Sequence, residues 1–173
     1  MKEEYRYFDL ANNGDIWIEK IIGKYIDPFS KIDIFEIGTG VGSSALWMSK
    51  NLCLHADSMV YTAGIDAHEG IDSTAKANLE NVANVSYYNG YGVKYLNKLN
   101  ILFDLIYIDG DHIKLSVIND ARWSLQYLKE SGIIIFDDYE DNWPGVVDAV
   151  DSFVDEFNLK TEVLSNTQIM VKK

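Results

Sequence analysis

The sequence has a single cysteine, Cys53, so no internal disulfide can form. It sits in "KNLCLHAD", where a small apolar role is expected rather than a reactive thiol. There are only two prolines, Pro28 and Pro144, and neither flanks a domain-sized segment. Basic residues are scarce, with 15 Lys and Arg against 27 acidic residues and a net charge of -12. That excludes broad electrostatic capture of nucleic acid or an anionic membrane surface, because neutralising phosphate needs Lys and Arg. No apolar run approaches the roughly 18 residues needed to span a bilayer. The opening "MKEEYRYFDLANNG" has no apolar core of the kind a secretion signal carries. With one cysteine and no such signal, the expectation is a cytoplasmic protein. Internal repeats and low-complexity linkers are absent as well.

What is present is enough chain, 173 residues at 47% hydrophobic, for one domain with a real core. Short β-branched runs alternate with longer amphipathic stretches. The runs are 31–38, 59–66, 84–90, 103–110 and 132–138, each stopping at Gly, Asp or Asn. Between them, 42–52, 72–82 and 113–130 read as helices, and 145–157 follows the fifth run. Ser43 and Ser44 are expected to cap the first of these. The chain closes with two short strands, 160–165 and 168–173. Alternation with near-continuous apolar strands implies an α/β fold. The expected sheet is doubly wound, seven-stranded and mostly parallel, with one antiparallel strand near the C-terminus. Residues 14–26 form a further helix, so 1–30 reads as an N-terminal helical or lid segment preceding a domain over 31–173.

In such sheets ligands bind outside the carboxyl ends of the strands. Glu36, Asp66, Asn89, Asp109 and the pair Asp137-Asp138 all fall at such ends. The first strand runs into "FEIGTGVGSS", with Gly38, Gly40 and Gly42 before a helix. This is neither a dinucleotide fingerprint, whose third glycine comes one residue later, nor a phosphate loop, which needs Lys after its last glycine. Glu36, just before the glycines, suits a cationic ligand better than a pyrophosphate. Asp66 can take both hydroxyls of a ribose in charge-assisted hydrogen bonds. Alternatively, Glu36 pairs with a lysine and Asp66 caps a helix.

The stretches "FDLIYIDGDHIKLS" and "GIIIFDDYED" end two buried strands in acid. Adjacent strands lie about 4.8 Å apart, so Asp109, Asp137 and Asp138 can converge. Crowded carboxylates repel unless a cation sits among them. Oxygen donors favour Mg²⁺, with Ca²⁺ or Mn²⁺ as alternatives. Consecutive strand residues point to opposite faces, so Asp137 and Asp138 act together only where the chain already turns. The competing reading is an acidic, solvated helix entry. His112, three residues after Asp109, can accept the proton of a substrate hydroxyl; Asp111 is the second candidate.

These motifs resemble the class I S-adenosylmethionine-dependent methyltransferases over about residues 31–173. "FEIGTGVGSS" resembles the family's first motif, Asp66 its second, and "NGYGVKYL" the loop after its third strand. The resemblance implies that Gly38 and Gly40 meet the methionine part, Asp66 the ribose, and Gly90 and Tyr91 the adenine; Glu36 and Asp109, at neighbouring strand ends, are further candidates to border the cofactor. "IDGDH", "GIIIFDDY" and "PGVVDAV" resemble the metal-dependent O-methyltransferases, in the branch with macrolide-sugar O-methyltransferases and cephalosporin-hydroxylase-like proteins. That implies Asp109, Asp137 and Asp138 as metal ligands and His112 as base. The implied activity is methyl transfer to a hydroxyl of a small molecule, a sugar or natural product. Rival readings are a non-catalytic S-adenosylmethionine-binding module and an NAD-dependent oxidoreductase. Tyr5, Tyr7, Phe8 and Trp17, with Tyr139, Trp143 and Pro144, are candidate walls of the acceptor site. Exposed N-terminal aromatics also point to a homodimer contact.

Overall fold

The computed structural model describes residues 13–65 and 71–173. Helix α1 (Asn13–Lys20) precedes β1 (Asp33–Ile37), α2 (Ser43–Asn51), β2 (Met59–Gly64), α3 (Ile71–Leu79) and β3 (Val85–Asn89). Then come α4 (Gly92–Leu99), β4 (Phe103–Ile108), α5 (Lys114–Gln126), β5 (Leu128–Phe136), α6 (Pro144–Phe157), β6 (Lys160–Val163) and β7 (Ile169–Lys172). The seven strands form one sheet in the order β3-β2-β1-β4-β5-β7-β6. The first five are mutually parallel, while β7 is antiparallel to both β5 and β6. This is the doubly wound sheet the alternation implies, with β7 as its one reversed strand.

Period-two alternation sends successive strand residues to two separate cores. Ile34, Leu105, Tyr107, Ile133 and Ile135 pack beneath α1 and α2 with Trp17, Trp47 and Met48. Phe35, Ile37, Ile106, Ile108, Ile134 and Phe136 pack on the other face with Val117 and Ala121 of α5 and Val146 and Phe153 of α6. Strands buried on both faces explain the near-continuous apolar runs. Cys53 is buried, and its thiol is pushed up to about 12, first by burial and then by Asp33 and Asp104, so it is an inert packing residue.

Several local expectations are corrected. Helix α4 occupies Gly92–Leu99, where the sequence predicts a loop. It is short, but Leu96 is buried and Tyr95 and Leu99 pack on the α5–α6 core. Helix α5 ends at Gln126, and β5 starts four residues earlier than Gly132, with an irregular register opposite Phe103 and Leu105. No side chain caps α2; Gly42 takes the cap position, and the Ser44 hydroxyl turns instead to Glu36. Trp17 is no lid residue: it is fully buried, edge-on to Trp47 and Tyr107, and its indole N–H donates to Gln168 Oε1 at 2.8 Å. It therefore supplies no exposed aromatic for a dimer contact. Tyr5, Tyr7 and Phe8 lie outside the described residues. No described helix is long and apolar enough to cross a membrane.

Candidate active site

At the carboxyl edge of the sheet each strand tip is bonded to its neighbour. Gly90 N–H donates to Gly64, Gly38 to Ala63, Asp109 to Ile37 and Asp137 to Ile108, all at 2.8–3.0 Å. These four bonds hold four loops in one row. Gly38 has φ +100°, and a Cβ there would lie 1.7 Å from the Asp109 carbonyl oxygen. Only glycine lets the loop after β1 cross the tip of β4 so closely.

The row of loops frames a cavity of about 990 Å³. It is lined by Gly38, Thr39 and Gly40 of the loop after β1, by Gly90 and Tyr91 of the loop after β3, and by Asp109 to His112 after β4. Among the described residues nothing lies within 4 Å of where a Cβ on Gly40 would stand. Tyr91 is 73% exposed on the rim. The structure thus brings Gly38, Gly40, Gly90, Tyr91, Asp109, Asp111 and His112 to one cavity. Asp66 lies outside the described residues.

Glu36 is not on that cavity. Alternation places it with Ile34 on the α2 face, opposite Thr62 in register. It is fully buried, and the hydroxyls of Ser44 and Thr62 donate to its two oxygens. Thr39 adds its hydroxyl to Thr62 at 2.7 Å. Burial pushes the Glu36 carboxyl up to about 7 against those two hydrogen bonds. Glu36 therefore braces the glycine loop from below rather than meeting a cationic ligand.

The acidic corner is more divided than three converging ligands. Asp109 and Asp137 share the Tyr107 face. Asp137 accepts the Tyr107 hydroxyl on one oxygen and the Asp138 N–H, at 3.0 Å, on the other. Tyr107 is itself reached by Gln168 Nε2 at 3.4 Å, so a buried chain of polar contacts runs from Trp17 to Asp137. Asp138 has φ +56°, so the chain is turning there as joint action of the pair requires. Yet its Oδ2 faces His112 Nε2 at 2.7 Å. The His112 ring stacks on Trp143, with centroids 3.9 Å apart and planes at 20°. A Cβ on Gly145 would lie 2.3 Å from the His112 carbonyl oxygen, so that glycine admits the first turn of α6 against the corner.

Burial, then the charges of Asp137, Asp138 and Glu36, hold the Asp109 carboxyl well above its usual range. Burial raises Asp137 too, opposed by its hydrogen bonds. A small pocket of about 10 Å³, roughly one water, lies among Asp109, His112, Asp137 and Asp138. Among the described residues no three acidic, His or Cys groups are arranged as a formed cation site. The strand tips bring the three acids expected as metal ligands near one another, but Tyr107 engages Asp137 and His112 engages Asp138. Asp111 is mostly exposed. The Ser116 hydroxyl and the N–H groups of Ile113 and His112 lower its pKa, which makes it a poor proton acceptor near neutrality.

Sequence reasoning missed the α5 wall. Ser116, Asn119 and Asp120 line the cavity, as does Lys94 of α4. The signal was there, because residues at i, i+3 and i+4 share one helix face. Burial, then Asp111, pushes the Asp120 carboxyl up to about 7.

The profile of a methyltransferase domain family matches residues 35–139. An uncharacterized protein of Acanthamoeba polyphaga mimivirus is 33% identical over 150 residues, covering 78% of this chain. This chain spans only 65% of that relative's length. Among solved structures, the Bacillus cereus O-methyltransferase in complex with S-adenosylhomocysteine superposes with a TM-score of 0.69 at 20% identity, over 99% of this chain and 90% of that one. A TDP-rhamnose 3'-O-methyltransferase of calicheamicin biosynthesis gives 0.71 at 12% identity, over 96% and 80%. At these identities the likeness is one of fold, and it agrees with the strand order. The family match covers the stretch from β1 to the turn after β5, which carries every cavity-lining loop described above, so this chain belongs to the methyltransferase domain family.

Proposed function

We propose that this chain transfers the methyl group of S-adenosylmethionine to a hydroxyl oxygen of a small molecule. One observation carries the reading: a single cavity joins the glycine loop to the Asp109–His112 corner. Its volume is at the upper end of what small-molecule sites span, enough for a cofactor and an acceptor end to end. The Bacillus cereus neighbour, which holds S-adenosylhomocysteine, supports the cofactor. Gly38 and Gly40 border the methionine part, Asp66 takes the ribose, and Gly90 and Tyr91 flank the adenine. Asp109 borders the cofactor at the reactive end.

In the transfer the sulfur–methyl bond breaks, an oxygen–methyl bond forms, S-adenosylhomocysteine leaves and the hydroxyl proton goes to His112. With the Nε2 proton directed at Asp138, Nδ1 is the nitrogen left to accept. Asp138 fixes the ring and stabilises the imidazolium that results. Trp143, 41% exposed and stacked on His112, offers a flat apolar face to the acceptor. Ile113 and Leu115, close to His112 in the chain, are exposed as well.

The oxygen donors of Asp109, Asp137 and Asp138 suit a hard divalent cation, Mg²⁺ before Ca²⁺ or Mn²⁺. Bound there, it would supply charge neutralisation and a lowered pKa for an acceptor hydroxyl. The 2.7 Å contact of His112 with Asp138 favours a second reading, in which this pair works without metal.

The test is a methyl-transfer screen over hydroxylated sugars and phenols, with EDTA and with added Mg²⁺. Turnover that survives both EDTA and Asp137→Ala removes the metal role and leaves the His112–Asp138 pair. Calorimetry with S-adenosylhomocysteine and with NAD accompanies it; binding of NAD alone overturns the whole reading. Tight binding of S-adenosylhomocysteine with no transfer to any acceptor favours a non-catalytic binding module.

A further inference from the structure

Gln168 is polar yet fully buried, just before β7. The antiparallel register pairs Phe136 with Ile169, so one residue further along Gln168 comes opposite Asp137. Its backbone is pinned. Its carbonyl accepts the N–H groups of Leu164 at 3.0 Å and Ser165 at 3.3 Å, and the neighbouring Thr167 carbonyl accepts the Tyr139 N–H at 2.8 Å. From α1, Lys20 Nζ donates to the Leu164 carbonyl at 2.7 Å. A side-chain amide can lie either way round, and here Trp17 decides which. An indole N–H can only donate, so it takes Oε1 at 2.8 Å and leaves Nε2 to donate to the Tyr107 hydroxyl at 3.4 Å. The Tyr107 oxygen thus receives a donor, and its own proton goes to Asp137 Oδ2. The Gln168 side chain also hydrogen-bonds Asp137.

The chain of bonds does not stop at that carboxylate. The other Asp137 oxygen, Oδ1, accepts the Asp138 N–H at 3.0 Å, where the backbone turns at φ +56°. A residue with a side chain keeps such a left-handed turn only where its surroundings hold it. The same turn aims Asp138 Oδ2 at His112 Nε2, 2.7 Å away. We propose that Gln168 is a positioning residue for His112: with Trp17 it orders Tyr107 and Asp137, Asp137 holds the turn at 138, and Asp138 sets the imidazole. The inference rests on the reading of His112 as proton acceptor and deepens it, because it assigns the orientation of the base to α1 and the β6–β7 hairpin. Gln168 acts through Tyr107 and Asp137, not on the reacting atoms. Every link is a contact within the chain, so the device needs no cation. A buried polar network fixes one arrangement only while all its members are satisfied, so a cut at Gln168 is felt at the ring.

The experiment is imidazole NMR of the full chain with isotope-labelled histidine. The sequence has three histidines, and His112→Gln identifies the signals of interest. In the wild type His112 is expected as a single Nε2–H tautomer, with its ring protons displaced by the face of Trp143. Gln168→Met keeps the side-chain length and removes both ends of the amide. His112 should then show mixed tautomers and lose most of that displacement. The affinity for S-adenosylhomocysteine in calorimetry should stay within about threefold, which shows that the cofactor end still folds. In a Tyr107→Phe background Gln168→Met should change His112 no further, because the chain is already cut. Gln168→Glu is the second variant: once ionised it accepts from both Trp17 and Tyr107, turns the phenol proton away from Asp137, and should disturb His112 in the same way. With any acceptor the wild type methylates, kcat of Gln168→Met should fall at least about tenfold at an unchanged KM for S-adenosylmethionine. His112 signals that stay unchanged in both Gln168 variants, or that change further on top of Tyr107→Phe, overturn the inference and leave the methyl-transfer reading standing. A wild type that binds no S-adenosylhomocysteine, but whose His112 responds to Gln168→Met, supports the positioning chain and overturns methyl transfer instead.

Discussion

Replacing Glu36 by Gln tests the idea that this acid is a buried brace. In the folded protein burial moves its carboxyl from an ordinary value near 4.5 to about 7. The folded state therefore holds the proton more tightly than the unfolded chain does. Between those two values the native state keeps the proton while the unfolded chain has released it, so stability falls as pH rises through the window. Each tenfold difference in proton affinity is worth about 1.4 kcal/mol, so the ionised Glu36 should cost the fold about 3 kcal/mol above pH 7. Gln cannot ionise, and its carbonyl still accepts one of the hydroxyls of Ser44 and Thr62. Unfolding in urea, followed by the fluorescence of the buried Trp17 and Trp47, is measured for both proteins from pH 5 to pH 8.5. The stability of wild type relative to Glu36→Gln should fall by about 2–3 kcal/mol across that range. Taking the difference cancels the other buried acids to first order. At a urea slope of about 1–3 kcal/mol per molar, the midpoints move apart by about 1 M or more. A difference that stays flat with pH refutes the reasoning, because Glu36 would then be solvated or ionised in the fold at no cost.

Three other substitutions probe the frame around the site. Gly38→Ala places a Cβ on the Asp109 carbonyl at a positive φ; it should cost about 3 kcal/mol or more by thermal melting and abolish S-adenosylhomocysteine binding in calorimetry. Tyr107→Phe removes the hydroxyl that donates to Asp137; leaving that buried acceptor short should cost about 1–3 kcal/mol in urea unfolding, more at high pH, where Asp137 is ionised. Gly145→Ala pushes the first turn of α6 off His112; transfer should drop at least about tenfold, because a misplacement near 1 Å is costly to catalysis, while S-adenosylhomocysteine affinity stays within about threefold.

Much of the fold was legible because its signals are local. The β-branched runs ending at Gly and Asp mark strands wherever they fall, and runs apolar on both faces imply a covered parallel sheet. The glycines at 38 and 40 and the acids at 109, 137 and 138 announce a site at the strand ends by residue type alone. Helix α4 was not legible: at Gly92–Leu99 it is short, and "NGYG" before it reads as turn. Its helicity depends on Leu96 finding the core between the sheet and α5, which is a tertiary event.

The division is clearest in the acids. Sequence by itself determined that Glu36, Asp109, Asp137 and Asp138 stand at strand ends, since a run of β-formers that stops at an acid needs no partner to be read. Only the tertiary structure decided what each one does. The pleat turns Glu36 under α2 to meet Ser44 and Thr62. The β4–β5 register brings Tyr107 to Asp137, and the left-handed turn at 138 sends that carboxylate to His112. Asp120 reaches the cavity because α5 packs back across the tip of β4. A side chain's partner depends on which distant elements the sheet order makes neighbours, and no local pattern in the chain records that order.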